Sequence, residues 1–81
     1  MIDLIEARYV AGYTVWIRSE DGTMGEVDLS NAMIGPLFEP LHDRNYFKRF
    51  FLNRDTGTIE WPNGADFAPE FLREKLHATA R

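Results

Sequence analysis

Apolar and polar positions alternate with a period of two through the first third of the chain. Tyr13, Val15 and Ile17 alternate with Thr14, Trp16 and Arg18; further on, Val27 and Leu29 alternate with Glu26 and Asp28. A period of two puts successive side chains on opposite faces, the pattern of strands buried on one side. Leu4–Val10 forms an earlier run, and Ala11-Gly12 and Asp21-Gly22 are turn signals between the runs. Three strands joined by tight turns predict an antiparallel meander. Its solvated face carries Arg18, Glu26 and Asp28.

The middle of the chain is less regular. Ser30 is expected to cap a brief helical turn over residues 30–34, Gly35-Pro36 to break it, and Leu37-Phe38 to plug the core, with Pro40 forbidding a long helix. Asp43 is expected to cap a short helix containing Tyr46 and Phe47. Lys48–Leu52 reads as a buried strand, and Asn53–Gly57 turns it into a second strand, Thr58–Trp61, with Gly57 left-handed. A helical period appears only near the end. From Pro69 to about Ala80, Phe71, Leu72, Leu76 and Ala80 share a face while Glu70, Arg73, Glu74 and Lys75 point largely away. The fold class predicted is α+β in two layers, an antiparallel sheet (a three-strand meander plus a hairpin) covered on one face by the C-terminal helix. Residues 1–81 read as a single domain.

The densest local signal is Trp61, Pro62, Asn63, Gly64, Asp66 and Pro69. Proline ends a strand because it cannot donate to the ladder, and Asn-Gly tolerates positive φ, so the chain should reverse here. Asp66 is placed to accept amides ahead of the helix, Pro69 suits the first helical position and Glu70 the first turn. With Ala68 at the cap, Phe67 and Leu72 have the spacing of a hydrophobic staple.

Composition narrows the function classes. An 81-residue chain that is 44% hydrophobic and 14% aromatic folds, but around a small core, so a partner would add to its stability. It has no cysteine, hence no disulfide, thiolate metal site or cysteine nucleophile. The acidic start Met1–Glu6 is unlike a secretory signal and predicts a cytoplasmic protein, and no apolar run is long enough to span a bilayer. A net charge of −4 speaks against nucleic acid, although Lys48, Arg49 and Arg54 lie among aromatics as in a single-strand platform.

Taken with the strand at Tyr13-Thr14-Val15, Val27-Asp28-Leu29, the Phe38-x-x-Leu41 stretch, Phe47 and Gly57-Thr58-Ile59, the string Trp61-Pro62-Asn63-Gly64-Ala65-Asp66 followed by Pro69-Glu70 and Leu72 resembles bacterial domain-of-unknown-function family 2442. The resemblance implies a small α+β prokaryotic domain without agreed catalytic residues. It also implies an adjacently encoded small protein, often of family 4160, in a toxin–antitoxin or similar pair. Some relatives continue into a helix-turn-helix unit, and the expectation here is a unit of this family without that DNA-binding portion.

Other candidate chemistry is thin. Glu60, Asn63 and Asp66 are too few oxygen ligands to define a metal site, and turn chemistry accounts for Asn63 and Asp66. His42-Asp43 lacks a nucleophile or third group, and His77 fits a helix C-terminus. No G-x-S-x-G, P-loop or G-x-G-x-x-G occurs, so no catalytic, metal or cofactor residues are assigned. Trp16 differs, because an aromatic on the polar side of a strand marks a contact surface, with Arg18 and Arg8 beside it. The reading is a non-catalytic interaction module that binds and restrains a neighbour-encoded protein, or associates with itself. The alternative is a ligand-sensing regulatory domain, binding between sheet and helix, that lacks its DNA-binding half.

Overall fold

Strands β1 (Leu4–Ala11), β2 (Thr14–Ser19) and β3 (Met24–Asp28) form one antiparallel sheet in that order. The chain continues through a 3₁₀ helix, Pro36–His42, and a single-turn helix α1, Arg44–Phe47. A second antiparallel pair follows, β4 (Phe51–Asn53) with β5 (Thr58–Glu60), and helix α2 (Pro69–Thr79) comes last. These assignments come from a computed structural model, which describes residues 2–79 and, to residue 76, their side chains. The fold is α+β: a three-stranded antiparallel sheet, a two-stranded hairpin and a C-terminal helix.

The alternation along β2 does what its period requires. Val15, Ile17 and Ser19 are buried and face inward, joined by Val27 of β3 and by Leu29 just beyond it, while Trp16 and Arg18 lie on the other side. Three parts of the chain share the covering of the inner face. Leu41 and Phe47 come from the 3₁₀ helix and α1, Ile59 and Trp61 from the hairpin, and Leu72 and Leu76 from α2. The helix covers mainly the β3 side, where Leu76 comes so close that a Cβ on Gly25 would stand 2.6 Å from its Cδ1.

The middle of the chain departs from expectation in four places. Residues 30–34 form turns with no helix, because the Asp28 carboxylate takes the Ser30 amide at 2.9 Å and sets the reversal before Ser30. Gly35-Pro36 does not interrupt a helix but opens one, with proline in the first turn, where its missing N–H costs nothing. Of the Leu37-Phe38 plug, Phe38 packs against the core with its ring stacked on Phe67 at 5.0 Å, but Leu37 points out and is half exposed, and Met33 and Leu41 are the residues buried here. The run expected as a buried strand over residues 48–52 is split. Lys48 closes α1, whose cap is Asp43 through the Asn45 amide, and β4 begins only at Phe51, itself exposed.

Helix α2 buries Leu72 and Leu76, as its period predicts, while Phe71 remains partly exposed. The aromatic contact across the helix start joins Phe67 to Phe71, whose rings stack at 5.5 Å, and Leu72 is buried beside them. Arg73 turns back, donating from Nη2 to Asp21 Oδ2 at 3.0 Å and so tying α2 to the β2–β3 turn. Ala80 lies outside the described residues, as does the His77 side chain.

Candidate functional site

Two places gather the residues singled out by the sequence. The first is the reversal at Trp61–Ala65. The Gly64 amide donates to the Trp61 carbonyl at 2.9 Å and the Trp61 amide to the Ala65 carbonyl at 2.8 Å. Asn63 keeps a negative φ and Gly64 alone is left-handed, at φ 93. That is a type I turn, proline first, closed by a glycine bulge. The chain then runs back along β5, with Asp66 bridged to Glu60. Asp66 is therefore an exposed bridge partner of Glu60, and the expectation that it accepts amides ahead of α2 is corrected. Pro69 is buried at the first helical position, and the Leu72 amide bonds to the Ala68 carbonyl at 3.2 Å.

Asn63 does more than turn the chain. Its Oδ1 accepts the Ala65 amide at 3.1 Å and its Nδ2 donates to the Leu37 carbonyl at 2.9 Å, clamping the reversal to the 3₁₀ helix. Spacing gave no hint of this second bond, because the partner lies far back in the chain. Asn63→Ala should cost about 1–2 kcal/mol in urea unfolding, and Asn63→Asp, which keeps only the acceptor, less.

Trp61 is wholly buried, and its indole Nε1 donates to the Phe47 carbonyl at 2.8 Å. Around it stand Phe47 at 5.5 Å, Phe67 at 5.8 Å and Phe50 at 6.0 Å between ring centroids. Glu60 accepts from Asn53 Nδ2 at 2.8 Å. Glu60, Asn63 and Asp66 thus do not converge on one point. Among the described residues no group of three or more His, Asp or Glu side chains is placed to hold a metal ion.

The second place is the outer face of the three-stranded sheet. Arg8, Trp16 and Glu26 lie side by side across β1, β2 and β3, and in the next row Glu6, Arg18 and Met24 do the same. The Arg8 guanidinium sits 4.3 Å from the Trp16 ring centroid. Arg18 donates to Glu6 Oε1 from Nε at 3.2 Å and from Nη2 at 3.1 Å, and Arg8 Nε lies 3.5 Å from Glu6 Oε2. The side chains of Arg8, Arg18 and Glu6 remain 64%, 39% and 38% exposed, so this cluster is ordered yet wet. Glu6 was not singled out from sequence, although its alternation with Arg8 in β1 places both on one face.

Elsewhere, His42 is exposed, and its Nε2 bonds to the Met33 carbonyl at 2.9 Å; its own carbonyl accepts the Tyr13 hydroxyl. An open groove of about 430 Å³ is lined by Tyr9, Asp43, Arg44, Asn45 and Lys48. Its Asp43 is engaged as the α1 cap, and Lys48 Nζ lies 5.3 Å from the Tyr9 ring centroid. Lys48, Arg49 and Arg54 do not form a shared platform with the aromatics. Phe47 is in the core, and Arg49 stacks on Tyr46 at 5.4 Å.

Two carboxylates titrate below the usual range. The Thr23 amide bonded to Asp21 holds its carboxyl down, with Arg73 helping, and the Ser30 amide does the same for Asp28, aided by the charge of Lys75. Because the folded values are depressed, their contribution is fully present above the ordinary carboxylate range and is lost as pH falls from there through the lower folded values. Urea midpoints should decline below about pH 4, and Asp21→Asn with Asp28→Asn should flatten that decline.

Fold and surface together define a small α+β domain that presents an open sheet face and anchors an exposed signature turn to its core through Trp61 and Ala65. The chain belongs to the family described as Protein of unknown function (DUF2442), whose family model matches residues 4–78. No curated protein and no solved structure matches it. Among the described residues, no helix is long and apolar enough to cross a membrane.

Proposed function

We propose that the protein is a non-catalytic, cytoplasmic interaction module whose outer sheet face binds a protein partner. One observation carries the reading: an exposed Arg8 stacked at 4.3 Å on a partly buried Trp16, on a sheet face that no other element covers with core residues. Trp and Arg are the residue types that dominate binding energy in protein interfaces, and a pair already ordered loses little side-chain freedom on docking. The resemblance that points to a neighbour-encoded small protein, of the family 4160 type, supplies the partner in this reading and the antitoxin-like role with it. No cofactor enters it.

Co-purification of the chain with the product of the adjacent gene is the test. Trp16→Ser should abolish recovery of that product while leaving the melting temperature within a few degrees, since Trp16 stands outside the core. Recovery unchanged by the substitution defeats the reading. The alternative, a ligand-sensing domain detached from a DNA-binding half, finds Leu72 and Leu76 packed where its ligand was expected between sheet and helix. A metabolite that raises the melting temperature, with no protein captured, would favour it instead.

A further inference from the structure

Resting on the reading of the outer sheet face as a contact surface, we infer that the face is self-complementary and that a second copy of this chain occupies it. The row Arg8–Trp16–Glu26 runs from positive, through aromatic, to negative across the three strands. A two-fold axis along β2 brings a second sheet face to face and places β1 of one copy over β3 of the other. Arg8 of each copy then meets Glu26 of the other, and the two Trp16 rings meet near the axis. Facing sheets stand about 10 Å apart, a gap that an arginine and a glutamate span together. In the next row Arg18 approaches its own equivalent but arrives already bonded to Glu6, and Glu6 comes over the exposed Met24. An axis across the strands through this row would instead set Arg8 on Arg8 and Glu26 on Glu26, and one passing between the two rows would set Arg8 on a Glu6 already paired with Arg18 and leave Glu26 on Met24. Only the axis along β2 gives Glu26 a cation, so loss of association in Glu26→Arg tells the arrangements apart. Such an interface is isologous and closes at two copies.

Pairing through the β1 edge is disfavoured. Register irregularities at Ile5 and Val10 interrupt β1, and its Leu4 amide already donates to the Gly57 carbonyl at 2.8 Å. The face itself is small. Three strands of about five residues cover roughly 250 Å², well below the ~800 Å² per partner of a standard interface. The dimer is therefore weak and exchanges readily, and a heterologous partner on the same face must displace it.

Sedimentation of the whole chain up to about 1 mM tests this, because that concentration reveals even a millimolar dimer. The mass should rise with concentration toward twice the 9.4 kDa of one chain. Arg8→Glu and Glu26→Arg should each weaken self-association at least about tenfold by setting like charges face to face. Mixed in equal amounts they should associate again, since each supplies the charge the other lacks. On dilution of the unaltered chain, amide NMR shifts should change at Glu6, Arg8, Trp16, Arg18 and Glu26, which needs no variant to fold. A monomer throughout, failure of the mixture to associate, or shifts confined to another surface overturns the inference. If the monomer still captures the neighbour-encoded protein through Trp16, the interaction reading survives. A dimer that captures nothing reverses that outcome.

Discussion

Trp61→Ala should leave the chain at the edge of unfolding at room temperature. The indole is wholly buried, three phenylalanine rings surround it within 6.0 Å, and its Nε1 satisfies the Phe47 carbonyl. Truncating such a residue costs about 3–5 kcal/mol through lost transfer energy and the cavity left behind. A further loss comes from the Phe47 carbonyl, which has no donor once the indole is gone. A domain of this length has about 4–12 kcal/mol of stability in all, so the variant loses a large part of it. Trp61→Phe separates the two terms: it keeps most of the ring packing but not the hydrogen bond, and should cost about 1–3 kcal/mol. Urea unfolding followed by far-UV circular dichroism measures both. A Trp61→Ala variant within 1 kcal/mol of the parent, on the order of the average substitution, contradicts the central role given to this residue.

Gly25→Ala should be the most damaging single-methyl change in the sheet. The glycine has φ 152, and its missing side chain is the space that Leu76 Cδ1 fills. A methyl at 2.6 Å must push Leu76, which is 5% exposed and hemmed in by the core, or lift α2 from β3. Overpacking of this kind costs about 1–3 kcal/mol. The cause is testable by a double-mutant cycle. In a Leu76→Ala background the same glycine change should cost much less, because only the backbone strain remains. Additive costs would show that Leu76 is not what makes glycine necessary at this position.

The contrast between these residues shows how far the chain can be read locally. The alternation in β2 and β3, the Gly57 turn and the start of α2 at Pro69 were all legible, because each depends on neighbours within a few positions. Asp66 was misread for the same reason. Its spacing to Pro69 suits a cap, but the intervening turn brings it back beside Glu60, where its backbone is held in a bridge. Lys48–Leu52 failed because an apolar run does not say where a preceding helix ends, and Asp43 started that helix early enough to consume Lys48. The pairing of Arg8, Trp16 and Glu26 was only half visible. Each strand showed which face a residue takes, but register decides which residues share a row.

By itself, the sequence determined the class of fold, the turns and the presence of Trp16, Arg18 and Arg8 on a polar sheet face. These follow from side-chain period and from backbone preferences of glycine, proline and asparagine, which act over a few residues. Only the tertiary structure decided that Asn63 reaches Leu37, that Gly25 makes room for Leu76 and that Arg8 and Glu26 flank Trp16 in one row. Those relations join residues distant in the chain, and their partners are selected by packing and strand register, which local spacing does not encode.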